Sequence, residues 1–161
     1  ITFISSMPAR SKNAESNPIF DARLSGFKRA LSDNKIEFRG SMVAYTPDFD
    51  YREAPAAYKE LKRNNDGIDS ILCSTGDKVA FGIIEEIKKD GLNVPDDIAV
   101  IGFDDFLPLT MTSSPKITTI RQDFSKIGGE AFDMVMKAIK DKPEKDMNVI
   151  IQPELIIRES A

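Results

Sequence analysis

The chain contains no histidine and only one cysteine, Cys73, among its 161 residues. The first absence removes imidazole, the side chain best suited to acid–base work near neutral pH and the commonest metal ligand. The second excludes an internal disulfide and a cysteine-cluster metal site. Cys73 follows Ile71-Leu72, where a small buried residue is expected, and no imidazole exists to activate it as a nucleophile. No apolar run approaches the ~20 residues of a membrane-spanning helix. Neither G-x-G-x-x-G nor G-x-x-x-x-G-K-[ST] occurs, so no phosphate cradle of those types is expected. The nucleophile elbow G-x-S-x-G is missing too. Basic residues are scattered, with a net charge of −4 and a pI near 5.0, so this segment is not expected to grip a phosphate backbone. The acidic pairs Asp96-Asp97 and Asp104-Asp105 are adjacent in sequence. Neighbours on a strand or turn point apart and do not form an acid–base pair by themselves. No enzyme activity, cofactor or metal site is therefore expected.

What is present reads as a globular α/β chain, 41% hydrophobic and 30% charged, with enough residues for one good core. Ile1 to Ser5 is strand-like and has no partner upstream, which suggests a fragment of a longer protein. Phe20, Leu24, Phe27 and Leu31 recur at helical spacing, and Ser16 or Asn17 with Pro18 makes a helix start. Gly26 lies inside that helix, and close packing against a sheet is the expected reason. Strands are expected at Ser41–Tyr45, Ile68–Cys73, Ile98–Phe103 and Ile117–Arg121. Helices are expected at Tyr51–Asn64, Lys78–Asp90, Phe106–Thr112 and Phe124–Lys140, the last capped by Asp123 or Ser125. Val149 to Ile157 reads as a bent or edge strand around Pro153. Gly128-Gly129 reads as a tight helix contact.

Strand alternating with helix predicts a parallel sheet flanked by helices with right-handed crossovers. In such sheets ligands bind outside the carboxyl ends of the strands. The rim loops there are Ser5–Asn17, Thr46–Asp50, Ser74–Asp77 and Asp104–Leu109. Gly102 is expected to let the backbone turn, so that Asp104 points into a cleft; the alternative is that Asp104 or Asp105 caps the next helix. Arg23 offers a fixed fork of donors or a surface ion pair with Asp21 or Glu15. Phe49 offers an apolar ring face, and Asp77 reads first as a helix cap. An arginine, an aspartate and an aromatic face suit a small polyol.

Seven segments in order then carry a resemblance. They are Arg23-Leu24-Ser25-Gly26-Phe27 with Ala30-Leu31, Gly76 to Gly82 (GDKVAFG), Gly91 to Ile98 (GLNVPDDI), Val100 to Asp104 (VIGFD), Ser114 to Ile120 (SPKITTI), Ile127 to Ala131 (IGGEA), and Pro153 to Ser160 (PELIIRES). Together they resemble the effector-binding core of the lactose-repressor family of bacterial transcription regulators. The resemblance implies a periplasmic-binding-protein-like fold, in which two lobes close on a small effector and a separate N-terminal domain binds operator DNA. Residues 1–122 and 149–161 would form the C-terminal lobe, and residues 123–148 the crossover into the other lobe. Carried over by position, Arg23 and Asp104 match the family's effector-binding residues, and Phe49 matches an aromatic position that stacks on ligand in some members. Asp77 and Asn17 complete the candidate set. Where some sugar-responsive members have a ligand-contacting Asn, this chain has Gly76. The implied partners are a sugar, sugar phosphate or purine-like effector, operator DNA through the other domain, and a second copy of the chain. The dimer contact would involve Lys78–Asp90 and Phe106–Thr112. The implied setting is cytoplasmic. A solute-binding protein of a transporter is the alternative.

Overall fold

The computed structural model describes residues 1–6, 17–140 and 148–161. The expected loops at Met7 to Ser16 and Asp141 to Met147 lie outside the described residues. One six-stranded sheet forms, comprising β1 (Thr2–Ser6), β2 (Val43–Thr46), β3 (Ser70–Cys73), β4 (Ala99–Asp104), β5 (Thr118–Arg121) and β6 (Glu154–Ile156). Their order is β2-β1-β3-β4-β5-β6. The first five are mutually parallel, and β6 runs antiparallel to β5 at the edge. The long strand expected between Val149 and Ile157 is confined to these three residues, because Pro153 cannot donate to a ladder.

Alternate residues of each strand feed two separate cores, as the period of two requires. Ile4, Ala44, Ile71, Cys73, Val100 and Ile117 pack against helices α2 (Ala54–Asn64) and α3 (Asp77–Lys89). Phe3, Val43 and half-buried Leu72 face helix α1 (Pro18–Asp33) through Phe27 and Leu31. The Phe3 and Phe27 rings stack 4.8 Å apart. Thus α1 covers one face and α2 with α3 the other, the arrangement that right-handed crossovers give when the chain moves first one way across the sheet and then back. The reversal occurs at β1, between β2 and β3, so the carboxyl ends of β1 and β3 form a topological switch point.

Asn17 caps α1, its side-chain oxygen accepting from the Ile19 N–H at 3.1 Å, and Pro18 fills the first helical position, where its missing N–H costs nothing. The segment expected as a single helix from Tyr51 opens with a 3-10 turn, Tyr51–Glu53, before α2. Gly82 lets these elements meet α3, since a Cβ there would lie 2.6 Å from the Tyr51 carbonyl and from Ala54. Gly26, Gly128 and Gly129 differ from expectation: a Cβ on any of them would meet nothing within 4 Å. Helix α5 (Phe124–Lys140) has no buried residue, and Asp123 caps it by accepting from the Lys126 N–H. The chain end returns to the sheet. Ser160 is fully buried, its hydroxyl donating to Val100 O and accepting from the Thr118 N–H, so it pins β4 to β5.

Candidate functional site

Helix α4 (Leu107–Thr112) follows β4 through Asp104 and Asp105. Both have positive φ, 90° and 56°, a conformation that short polar side chains tolerate better than most. The two consecutive turns send the carboxylates opposite ways. Asp104 stays half-exposed on the rim and accepts from the Gln122 side-chain amide at 2.6 Å. Asp105 turns inward. It accepts from Arg121 Nε at 2.7 Å, from an Arg158 terminal nitrogen at 2.8 Å and from the Thr110 hydroxyl at 3.1 Å. Burial disfavours its charge, but the two guanidinium groups outweigh that and hold the carboxyl below the usual range. Neither aspartate caps α4, whose N-cap is Phe106.

Arg23, one turn into α1, reaches across the switch point. One terminal nitrogen donates to Ser74 O at 2.5 Å, and the other lies 3.9 Å from Asp104. Its guanidinium sits 3.7 Å from the Phe103 ring centroid and 5.3 Å from that of Phe20. Burial pulls its pKa below the ordinary arginine value, and the charge of Asp104 opposes that. The alternative reading, a surface ion pair with Asp21, is not formed, since Arg23 is folded inward; Glu15 lies outside the described residues. Phe49, 46% exposed, stacks on Phe20 at 5.5 Å with the rings 18° from parallel.

Asp77 does not cap α3. Gly76 occupies the N-cap with φ 113° and ψ 170°, a region that only glycine enters readily. The Asp77 carboxylate is buried and accepts from the Phe106 N–H and the Thr119 hydroxyl, each at 2.6 Å. It thereby ties α3 to the β4–α4 connection and to β5. Burial raises its pKa above the usual carboxyl value; those two bonds oppose the rise, and the charges of Asp104 and Asp105 add to it. This carboxylate also explains Gly102. That residue lies within β4 rather than at a turn, and a Cβ there would fall 2.1 Å from an Asp77 oxygen.

These side chains border two basins of about 460 Å³ each, on either side of Phe103. One lies between α1, Gln122 and the start of α5, and includes Arg23, Ile127 and Pro153. The other is bounded by Phe49, Thr75, Phe103, Asp104, Phe106 and Phe124, with Gly76 and Asp77 beneath. Of the sequence-based candidates, Arg23, Phe49 and Asp104 thus come together on the rim. Asp77 lies under its floor with both bonds made, and Asn17 is committed to its cap. Sequence reasoning missed Thr75, Gln122 and three of the four phenylalanines, Phe103, Phe106 and Phe124. Position after a strand end could have flagged Thr75; the side-chain amide of Gln122 meets Asp104 only through the β4–β5 register, in which Asp104 pairs with Arg121. Among the described residues, no group of three acidic or cysteine side chains is placed to hold a metal ion. No helix among them is long and apolar enough to cross a membrane.

Residues 1–161 match the family described as periplasmic binding protein-like domain. Among curated proteins, the chain is similar to the HTH-type transcriptional repressor PurR of Vibrio vulnificus, 32% identical over 139 residues, which is 86% of this chain and 40% of that protein. It is likewise similar to the arabinose metabolism transcriptional repressor of Geobacillus stearothermophilus, 32% identical over 141 residues, covering 86% and 38%. Among solved structures, a transcriptional regulator CelR–cellobiose complex superposes with a TM-score of 0.83 at 22% identity, over 99% of this chain and 46% of that one. That likeness is one of fold. The chain spans about two-fifths of the length of the curated relatives named here.

Proposed function

The chain belongs to the periplasmic binding protein-like domain family, in the form carried by repressors of the lactose-repressor type, and from that premise we propose that it is the effector-binding lobe of a bacterial transcription regulator. A small molecule binds on the rim and sets the protein's affinity for operator DNA. The observation that carries this reading is the meeting of Arg23 and Asp104, from separate βα units, 3.9 Å apart beside an aromatic-lined basin at the switch point. The curated relatives named above are repressors, which favours this reading over a transport protein and over an enzyme.

Residues 123–148 belong to a second lobe. Support comes from α5, which leaves Phe124, Phe132, Val135 and Ile139 more than half exposed, an apolar helix surface that needs a partner. Effector binding between the lobes favours one orientation of the pair. Gln122 stands where the chain leaves β5 for α5 and holds Asp104, so ligand contact and lobe connection share one hydrogen bond. Coupling of this kind is typically about 1–3 kcal/mol and is reciprocal. A second copy of the chain packs on the α3–α4 side, where Met111 is about half exposed. The working compartment is the cytoplasm, where operator DNA is.

The test is operator titration by the full-length protein with and without an effector found by thermal shift, repeated with Asp104→Ala. The expected result is a change of operator affinity of roughly 5- to 150-fold that the variant abolishes. Equal affinity with and without a ligand that does bind would refute the regulatory reading.

A further inference from the structure

Two adjacent aspartates hold two adjacent residues of the neighbouring strand's end. The register of β4 and β5 sets Asp104 opposite Arg121. Asp104 accepts from the Gln122 amide, and Asp105 accepts from Arg121 Nε at 2.7 Å. Asp105 also accepts from Arg158 at 2.8 Å. Arg121 and Arg158 flank residues 122–157, the stretch that leaves the sheet into α5 and returns as β6. Both ends of that stretch are therefore tied to one carboxylate, itself 2% exposed. The return side is bound in further ways. Arg158 donates from its side chain to Ile117 O at 2.7 Å and from its N–H to the Thr118 hydroxyl at 2.9 Å. Arg121 reaches the returning strand too, 3.8 Å from Glu154.

One arginine is enough to match the charge of a buried carboxylate. The second adds no neutralisation; what it adds is a tie between two strands. Pulling either strand away would separate Asp105 from a cation, and a buried charge without its partner is costly. The connection is thus held as far as Arg121 on the way out and from Glu154 on the way back. The residues just beyond are not held in this way. Residues 122–123 lie between β5 and α5, and residues 149–152 lie outside the β5–β6 ladder. Gln122 is tied only at its amide, to the half-exposed Asp104. Asp105 holds the anchored part of the connection, and its neighbour holds the first residue that is free to turn.

We propose that Asp105 is a positioning residue: through Arg121 and Arg158 it fixes both strands of the lobe connection, and the second lobe turns about residues 122–123 and 149–152, just beyond that anchor. This rests on the reading of residues 123–148 as part of a second lobe.

The experiment is double electron–electron resonance on the full-length protein, with spin labels at Arg29→Cys in α1 and Lys137→Cys in α5. Both positions are exposed and outside the network, and Cys73 is buried. The backgrounds are wild type, Arg121→Gln, Asp105→Asn, the two combined, and an insertion of two glycines between Gln122 and Asp123. Arg121→Gln should broaden the distance distribution while shifting the unfolding midpoint by no more than about 4 °C, because Arg121 is partly exposed and such pairs add little to stability. Asp105→Asn should broaden it at least as much, and Arg121→Gln should add nothing in that background. Hydrogen exchange of the wild type should be slow at Thr118–Arg121 and Glu154–Ile156 and fast at residues 122–123 and 149–152. An unchanged distribution in Arg121→Gln would overturn the anchor, and this holds even if Asp105→Asn does not fold. Additive broadening in the combined variant would show that Arg121 does not act through Asp105. Fast exchange in the two ladders would place the turning point inside the anchor and overturn its position. The glycine insertion should broaden the distribution most. An unchanged distance there would show that α5 moves as one body with this lobe, overturning both the inference and the lobe reading beneath it.

Discussion

Asp105 gives the sharpest test of how the rim is held. Its side chain is 2% exposed, and that of its partner Arg158 is 10% exposed, so this arm of the network is a buried ion pair. Arg121, the other cation, is 39% exposed, and an exposed pair contributes only about 0–1 kcal/mol. Truncation by Asp105→Ala leaves the Arg158 charge buried with one remaining acceptor, the Ile117 carbonyl at 2.7 Å. Breaking a buried pair from one side costs roughly 3–5 kcal/mol, because the surviving charge is uncompensated. Against the usual 5–15 kcal/mol of a folded domain, that is a large share. The assay is urea unfolding of the full-length protein, followed by far-UV circular dichroism. Asp105→Ala should lose about 3–5 kcal/mol, and adding Arg158→Met should recover part of the loss by removing the stranded charge. A single-variant cost below about 1 kcal/mol, a value typical of surface pairs, would refute the reasoning, as would strict additivity in the double variant.

Other perturbations have predicted signs. The raised pKa of Asp77 means that the native state binds more protons than the unfolded chain, so stability falls as pH rises from about 4, the unfolded value, through the native one. Asp77→Asn should flatten that fall in a series of denaturation curves; an unchanged slope would show that Asp77 is not its source. Asp105 has the opposite sign: its native pKa is depressed, so its contribution is present above about pH 4 and is lost as the medium is acidified through the native value, a loss that Asp105→Asn should remove. Gly26→Ala should raise the urea midpoint, with a gain of up to about 1 kcal/mol, since its Cβ meets nothing; a lower midpoint would count against the open position. Cys73 is fully buried and its thiol pKa is pushed well up by burial, so Ellman's reagent should label it only on unfolding, and rapid labelling of the native protein would contradict that burial.

Much of this architecture could be read from the chain. Helical spacing of Phe20, Phe27 and Leu31 and the β-branched runs of the strands reflect local periodicities that every fold must respect. Alternation of strand and helix then limits the topology to a few choices, because crossovers are right-handed. Strand ends located the rim and singled out Asp104, and the ordered motifs brought Arg23 and Phe49 beside it. The glycines were legible only as exceptions. Gly26, Gly128 and Gly129 were read as close contacts and have none, whereas Gly102, read as a turn, makes way for the Asp77 carboxylate. A glycine in sequence shows that a side chain is missing; it does not show what occupies the space.

Pairing across the sheet is what sequence could not supply. Register sets which residues of β4 and β5 meet, and so joins Gln122 to Asp104 and Arg121 to Asp105. The opposite turns of the two adjacent aspartates depend on φ values that identical residues do not announce. Burial of Asp77 follows from what the β4–α4 connection and β5 bring around it. Local sequence determined the elements and the rim on which a ligand would lie, because periodicity and turn chemistry act over a few residues. Tertiary structure decided which carboxylate faces the basin and which are bonded inside, because those depend on contacts between segments far apart in the chain.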